Sequence, residues 1–595
     1  MKHTRTKGWI VSAICILFTT AISAQDNHKT SANYDLKSNL PIIIIETTNE
    51  INAESKVDAS MKIIFDKKKK MFSSNETSYH YNGPIRIKLR GNSSLSFNQK
   101  KYTIETRNSD GTKNNVSLFG MPADNDWVLL APYNDISMMR DALAFKLWEE
   151  MGYWAPRTQM VEVIVNGDYR GVYTFTEKIK DAPGRVDISS GSKNNGQADK
   201  SKDGFLLRID TYDEENTTFK SKIPGIGWRL FNTDVIWTCL YPSKKNITRD
   251  QLNYIQGFVD QMEQCIQSPQ FNDKDNGYNK YIKVSSFIDY FIHTELSLNA
   301  DAYKRSAYFF KEKQNEDGTG GKILAGPVWD YNLAFGNCNF CGADDVNSWA
   351  YEGCNTSPTP AFWKRLLQDA EYLKQLKTRY WELRKTILSD KHIFALIDGY
   401  ASQLSEPQKR QFKKYEELLQ SEKDKDKPQN GFMMGMPQGG FFPGGFPMMG
   451  MPMMGVPNGM GGIPNGNMTN GNMTNGNMPN GSNGNAPTAN MPNGNNGNNG
   501  NVPNGNNGNN GIPNGANMPQ FPMMGGMPNG MGNMPNGMAA MPNGFGGMPN
   551  MMMMNGGGQI SWFAAYRVSS YEEEIKYLKN WIHDRLEVMD EAFKE

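Results

Sequence analysis

From about residue 429 to residue 558 the chain runs through MPNG, NGNM and NGNNG, almost without charge. Gly and Asn give this tract backbone freedom, Pro interrupts any regular ladder, and few branched side chains are available to bury. Such a segment cannot offset the entropy of ordering itself and is expected to be a disordered spacer. Its Met-rich runs offer an alternative role, the capture of a soft ion such as Cu(I). Order is expected to return beyond it. Residues 560–567 look extended, and 571–593 form an amphipathic helix with Ile575, Leu578, Trp581, Ile582, Leu586 and Met589 on one side. A free helix would expose Trp581, so docking on the main body is expected. The tract is then an insertion in a loop, a small cost because closure entropy grows only logarithmically with length.

The opening MKHTRTKGWIVSAICILFTTAISAQD has Lys2, Arg5 and Lys7, then an uncharged apolar stretch, then Ser23 and Ala24 before Gln25. This is the pattern of a secretory signal over 1–24, cleaved before Gln25, and the apolar run is short for a membrane span. Gln25 in first place gives no sign of a lipoprotein, and no later stretch is apolar for long enough to cross a bilayer. A secreted or surface-attached protein with no transmembrane segment in its mature chain is expected. Residues 25–39 are polar and suggest a tether. Without the signal and the tract, about 440 residues remain, enough for one large core or two fused subdomains. Lys and Arg number 63 against 62 Asp and Glu, so no global field points to nucleic acid or an anionic membrane.

Strands are expected at 40–45 (LPIIII, a buried one), 62–66, 84–89 and 101–105. The clearest local signal is the β-hairpin of 161–178, where VEVIV and YRGVYTFTEK flank Asn166-Gly167-Asp168. Helices are expected over 135–151, 284–298, 362–389 and 393–422. The main folded part spans 40–428 and is completed by 559–595. The fold class is α+β, strand-rich first and helix-rich later.

Cys239, Cys265, Cys338, Cys341 and Cys354 remain after the signal, an odd number, so at least one is unpaired within the chain. The C-x2-C at 338–341 with Cys354 nearby admits zinc, but a fourth ligand is not obvious and an exported protein favours a local disulfide.

Polar clusters sit where elements end. Arg90-Gly91-Asn92-Ser93-Ser94 follows IRIKL, and such a turn either cradles phosphate oxygens with backbone N–H groups or is a plain turn. Lys100 and Lys101 begin the next strand, and alternation lets only one of them face a given site. Glu177-Lys178 closes the hairpin, either as a site or as a solvated pair of charges. Asn299-Ala-Asp301 closes an apolar helix, and KILAGPVW delivers Asp330 with Asn332 and Gly336 after it. Two acids at element ends, with basic and Gly-rich groups elsewhere, are the parts that phosphoryl transfer on Mg²⁺ requires. Spacing alone equally allows two structural caps.

RGNSS…KKYTIE, WVLLAPYNDISMMRDALAFKLW, VIVNGDYRGVYTFTEKI, GFLLRID, the segment of Asn299 and Asp301, and GPVWDYNLAFGN occur in that order. Together they resemble the CotH family, the spore-coat-protein-H type of atypical secreted or surface protein kinase. The final LKNWIHDRLEVMD resembles that family's C-terminal element. The resemblance covers about 41–593 without the tract. It implies a divergent kinase-like fold that uses ATP with Mg²⁺ or Mn²⁺ to phosphorylate Ser or Thr of proteins on a cell surface or in an extracellular layer. Carried over by position, Asp330 is the metal-binding acid and Asp301 the catalytic acid, which either binds metal or orients the acceptor hydroxyl as a base. Arg90, Lys101 and Glu177 would line the nucleotide side, Lys101 on phosphate and Glu177 orienting it as an ion pair. Leu95 stands where the family often has a basic residue, and Ser306 where an Asn would help hold metal, leaving Asn332 as its substitute. These departures support an alternative, a catalytically silent surface or matrix scaffold. A third reading is a carbohydrate-associated module.

Overall fold

The protein is described from a computed structural model over residues 34–188, 204–227, 234–314, 320–354, 357–419 and 568–594. The expected signal, the expected spacer tract and the expected extended stretch at 560–567 lie outside those residues. The fold is α+β, with strands dominating first and helices later.

The strand-rich part contains β1 (Lys37–Ser38), β2 (Ile42–Glu46), β3 (Val57–Ile64), β4 (Phe72–Ser73), β5 (Tyr81–Arg90), β6 (Lys101–Thr106), β7 (Asp126–Leu130), β8 (Thr158–Val165) and β9 (Asp168–Glu177). Seven of these close a barrel in the order β2-β3-β5-β6-β7-β9-β8, with β2 and β8 parallel at the seam. Closure leaves this sheet no open edge. Alternation sends Ile43, Ile45, Ile85, Ile87, Ile104, Trp127, Leu129, Val161, Val163 and Phe175 into the barrel core. Ile42 on the other face packs with Leu36, Ile64, Phe72 and Tyr169, so the isoleucine run is covered on both sides. That cover comes partly from the polar lead-in: Leu36 is buried, and Lys37–Ser38 pairs with Phe72–Ser73. The chain is therefore ordered before residue 40. The hairpin turns at Asn166 and Gly167, both at positive φ as a tight turn of that hand requires.

Beyond the barrel, β10 (Phe205–Ile209), β11 (Thr217–Lys220), β12 (Ile236–Tyr241), β13 (Ala307–Lys311) and β14 (Ile323–Ala325) form a sheet in the order β11-β12-β10-β13-β14. Helices α1 (Arg140–Glu150), α2 (Arg249–Gln267), α3 (Val284–Ser297), α4 (Phe362–Leu366), α5 (Ala370–Arg384), α6 (Asp390–Leu404), α7 (Pro407–Lys414) and α8 (Tyr571–Ala592) complete it.

The helix expected from residue 135 starts at Arg140, because the Asp135 carboxylate accepts the N–H groups of Ser137 and Arg140 and holds a capping turn. The helix expected over 362–389 is interrupted, and Asp369 caps α5 through the Glu371 N–H. The one expected from 393 divides where Pro407 opens α7. Helix α3 is buried all round rather than on one face, since α1, α5, α8 and β14 all pack on it. Helix α8 packs on α3 and α6 with Leu578, Ile582, Leu586 and Met589 fully buried.

Candidate active site

Arg90 ends β5 and Lys101 begins β6, and the two face each other in register at one end of the barrel. Lys100, on the opposite side of the strand, donates to Leu95 O at 2.6 Å. Lys101 turns inward with a side chain only 8% exposed, and its Nζ lies 3.2 Å from Asp330 Oδ1. The Arg90 guanidinium lies over the Trp329 ring at 5.0 Å, beside the same aspartate. Gly91 has φ +114°, and a Cβ there would sit 1.9 Å from Ser94 Oγ, so this tight turn requires glycine.

Asp330 is delivered by the strand β14 and the Gly326-Pro-Val-Trp segment after it. Asp301 arrives from α3, which ends on Leu298 in the left-handed conformation. Asn299 ties the two: its Nδ2 donates to Asp330 O at 3.2 Å, and its Oδ1 accepts the Asp301 N–H at 3.3 Å. Burial raises the proton affinity of Asp301, with Arg305 and Lys304 opposing and Asp330 and Asp210 adding. The two aspartates therefore share one electrostatic neighbourhood. Lys304 is buried beside them, pushed down to about 8 by burial against the pull of Asp301. Leu298, Tyr303, Ser306, Asp330 and Phe335 all have positive φ. Such conformations persist only where the surroundings over-determine them, and they gather at functional sites.

Asn332 is buried one short turn beyond Asp330. Its Nδ2 donates to Asn134 Oδ1 at 2.9 Å, and its backbone oxygen accepts from Asn337. Glu177 is not brought to Lys101. It lies on the ladder row of Trp127 and Ile104, three residues along and two strands away. There it is fully buried, bonded to the Arg157 N–H at 2.9 Å and to Arg157 Nη1 at 2.8 Å. The expected Lys101–Glu177 pair is thus replaced by Lys101–Asp330, and Glu177 braces the start of β8.

Asp141 is the acid that sequence reasoning missed. It accepts the Tyr331 N–H at 2.6 Å. Burial raises its carboxyl to about 7, with Lys101 opposing and Asp330 adding. Its place in MMRDALAF marks only a helical face, and nothing local signals that the helix end meets Tyr331. Arg208 and Asp210, in GFLLRID, pair at 3.1 Å, and Asp210 is near enough to add to the raised proton affinity of Asp301. A cavity of about 300 Å³ lies elsewhere, between α1, the start of β8 and α6, and its Arg157 and Lys146 are already paired with Glu177 and Glu149. The site at Asp301 and Asp330 is selected by its chemistry, not by that cavity.

Among the described residues no helix is long and apolar enough to cross a membrane. Cys341 and Cys354 form a disulfide, while Cys239, Cys265 and Cys338 are free thiols.

The family model described as CotH kinase protein matches residues 87–430, more than half of the chain. Arg90, Lys101, Asp141, Glu177, Asp301, Asp330 and Asn332 all fall within the match, whereas α8 lies beyond it. No curated protein matches the chain.

Proposed function

The chain belongs to the CotH kinase protein family, and from that premise we propose that it is an exported protein kinase. In this reading it moves the γ-phosphate of ATP to Ser or Thr side chains of proteins on a cell surface or in an extracellular layer. The observation that carries the reading is Lys101 Nζ at 3.2 Å from Asp330 Oδ1, with Asp301 in the same electrostatic neighbourhood.

The donor set fits Mg²⁺–ATP. Two carboxylates whose charges repel, in a buried setting, suit a hard divalent cation, and Lys101 and Arg90 suit the phosphates. Asp330 would hold the cation, with the amide oxygen of Asn332 as a further ligand. When bound, the ion neutralises charge on the phosphate oxygens. Lys101 and Arg90 orient the phosphates from the barrel side. Asp301 is positioned by Asn299 to accept the proton of the acceptor hydroxyl, and its raised proton affinity suits a base. The oxygen of that hydroxyl then bonds to the γ-phosphorus as the bond to the bridging oxygen breaks, and ADP leaves.

The disulfide between Cys341 and Cys354 supports an oxidising compartment, in keeping with the signal expected over 1–24. The alternative, a silent scaffold, is favoured by Ser306 standing where an Asn would help hold metal. Labelled ATP with Mg²⁺ or Mn²⁺ decides between them, using the mature chain beside Asp330→Ala and Asp301→Ala. Incorporation lost in both folded variants supports the kinase. No incorporation and no thermal shift from Mg²⁺–ATP would leave the scaffold.

A further inference from the structure

Helix α8 grips the loop that carries Asp330 along most of its length. Near its start, Glu574 Oε1 meets Arg140 Nη1 at 2.5 Å, with both side chains fully buried. Arg140 in turn donates Nε to Ala334 O at 3.0 Å and Nη2 to Phe335 O at 3.3 Å. Its neighbour Asp141 holds the Tyr331 N–H. In the middle of α8, Tyr577 donates its hydroxyl to Gly336 O at 3.2 Å. The Trp581 ring lies so close to Gly336 that a Cβ there would sit 2.5 Å from it. Trp581 Nε1–H also donates to Asp344 O at 3.0 Å. Farther along, Arg585 Nη1 donates to Val346 O at 2.6 Å and Ser348 O at 2.8 Å, and its Nε donates to Glu295 O in α3 at 2.9 Å.

Side chains of α8 thus reach the carbonyls of Gly336, Asp344, Val346 and Ser348 directly, and those of Ala334 and Phe335 through Arg140 of α1. Apolar packing alone would be satisfied by Leu578, Ile582, Leu586 and Met589. Buried Arg585 of α8, and Arg140 of α1 held by Glu574, are aimed at carbonyl oxygens and add direction, since charged donors make short, oriented bonds. The loop they hold needs direction, because Asp330 and Phe335 both stand at positive φ.

We infer that α8 is a positioning element for the candidate phosphate-transfer site. Through Glu574–Arg140 and through Trp581 it fixes the backbone that places Asp330 and Asn332. The segment beyond the Met/Pro/Asn/Gly tract is then part of the site's support, although it lies outside the residues that carry the family match. The catalytic half of this inference rests on the kinase reading; the structural half does not.

The test uses the full mature chain with Glu574→Gln and Trp581→Phe, read by amide hydrogen exchange and by labelled ATP. Arg140 keeps Asp135 at 2.6 Å when Glu574 is changed, so that variant retains a partner for the buried charge. In both folded variants, amides of 331–348 should exchange about tenfold or more faster, the loss expected for one buried polar contact, while the barrel strands keep their protection. The Mn²⁺ concentration for half-maximal incorporation should rise several-fold, with the KM for ATP at saturating Mn²⁺ nearly unchanged, a split that mere loss of stability would not produce. Wild-type exchange over 331–348 in folded variants, or an unaltered Mn²⁺ dependence in an active enzyme, overturns the inference. If the wild type transfers no phosphate, the kinase reading fails alone, and the exchange result still decides whether α8 positions the loop. Should Glu574→Gln not fold, Trp581→Phe carries the same test.

Discussion

Lys101 Nζ and Asp330 Oδ1 lie 3.2 Å apart although 229 residues separate them in sequence. One comes from the first strand residue after a barrel turn, the other from the loop after the last strand of the second sheet. The contact joins the two sheets at the place where three further acids, Asp141, Asp210 and Asp301, converge.

Lys101→Met removes the positive charge that separates these acids. In the absence of divalent ions it should lower stability by about 1–3 kcal/mol, the cost of leaving a partly buried charge unpaired. Mn²⁺ should restore part of that loss by supplying the missing charge, whereas it should not do so for Asp330→Asn. Melting with and without Mn²⁺ checks this, and phosphate incorporation should fall by about a hundredfold or more in either variant.

Asp141 predicts a pH dependence. Burial, outweighing the opposing pull of Lys101, lifts its folded carboxyl from the ordinary 3.8 to about 7. The folded state then binds the proton more tightly than the unfolded chain. The stability this contributes is complete below about pH 4 and is lost as pH rises to about 7. Asp141→Asn keeps an oxygen for the Tyr331 N–H and cannot ionise. Its stability relative to wild type should be greater at pH 8 than at pH 5, by about 1 kcal/mol or more. Metal-free denaturant titrations at the two pH values measure it, and equal differences would contradict the assignment.

Glu177 is expected to be structural. Glu177→Ala removes the acceptor of the Arg157 N–H and of Arg157 Nη1, while the guanidinium keeps Gly184 O and solvent, and should cost about 1–3 kcal/mol. The thermal shift produced by Mg²⁺–ATP should persist in the folded fraction. Its disappearance would return Glu177 to the nucleotide side.

Thiol chemistry separates the cysteines. Alkylation of the denatured, non-reduced mature chain should label Cys239, Cys265 and Cys338 and spare Cys341 and Cys354, as peptide mass analysis would show. Removing the disulfide by Cys341→Ser and Cys354→Ser together should destabilise the protein by about 3 kcal/mol, the value for a loop of comparable length.

Gly336→Ala tests the packing under α8. Gly336 has φ +74°, and the new Cβ would lie 2.5 Å from the Trp581 ring. Left-handed strain and overpacking should together cost about 2–4 kcal/mol. The same substitution in a Trp581→Ala background should cost less, since the ring it strikes is gone, and a double-mutant cycle in denaturant measures the difference.

Much of this protein is legible locally. The isoleucine run of β2, the Asn166-Gly167 hairpin and the apolar stripe of α8 are each set by side-chain periodicity and turn chemistry within a few residues. Asp301 and Asp330 are visible locally only as acids that end apolar elements, a pattern that two structural caps share, and it was the family resemblance that singled them out. Helix ends were less legible: the turn that delays α1 to Arg140 depends on the Asp135 side chain bonding the backbone, a preference that competes with helix propensity. What only the tertiary structure decided is which charge meets which. Lys101 pairs with Asp330 instead of Glu177 because barrel register puts Glu177 three residues too far along, and register belongs to the closed sheet as a whole. Asp141 enters the site because α1 begins against Tyr331, and Glu574 reaches Arg140 from 434 residues away. Periodicity fixes which face of an element is buried, but a buried charge is matched by whatever the packing of distant elements brings within about 3 Å of it, and that information is in no single segment.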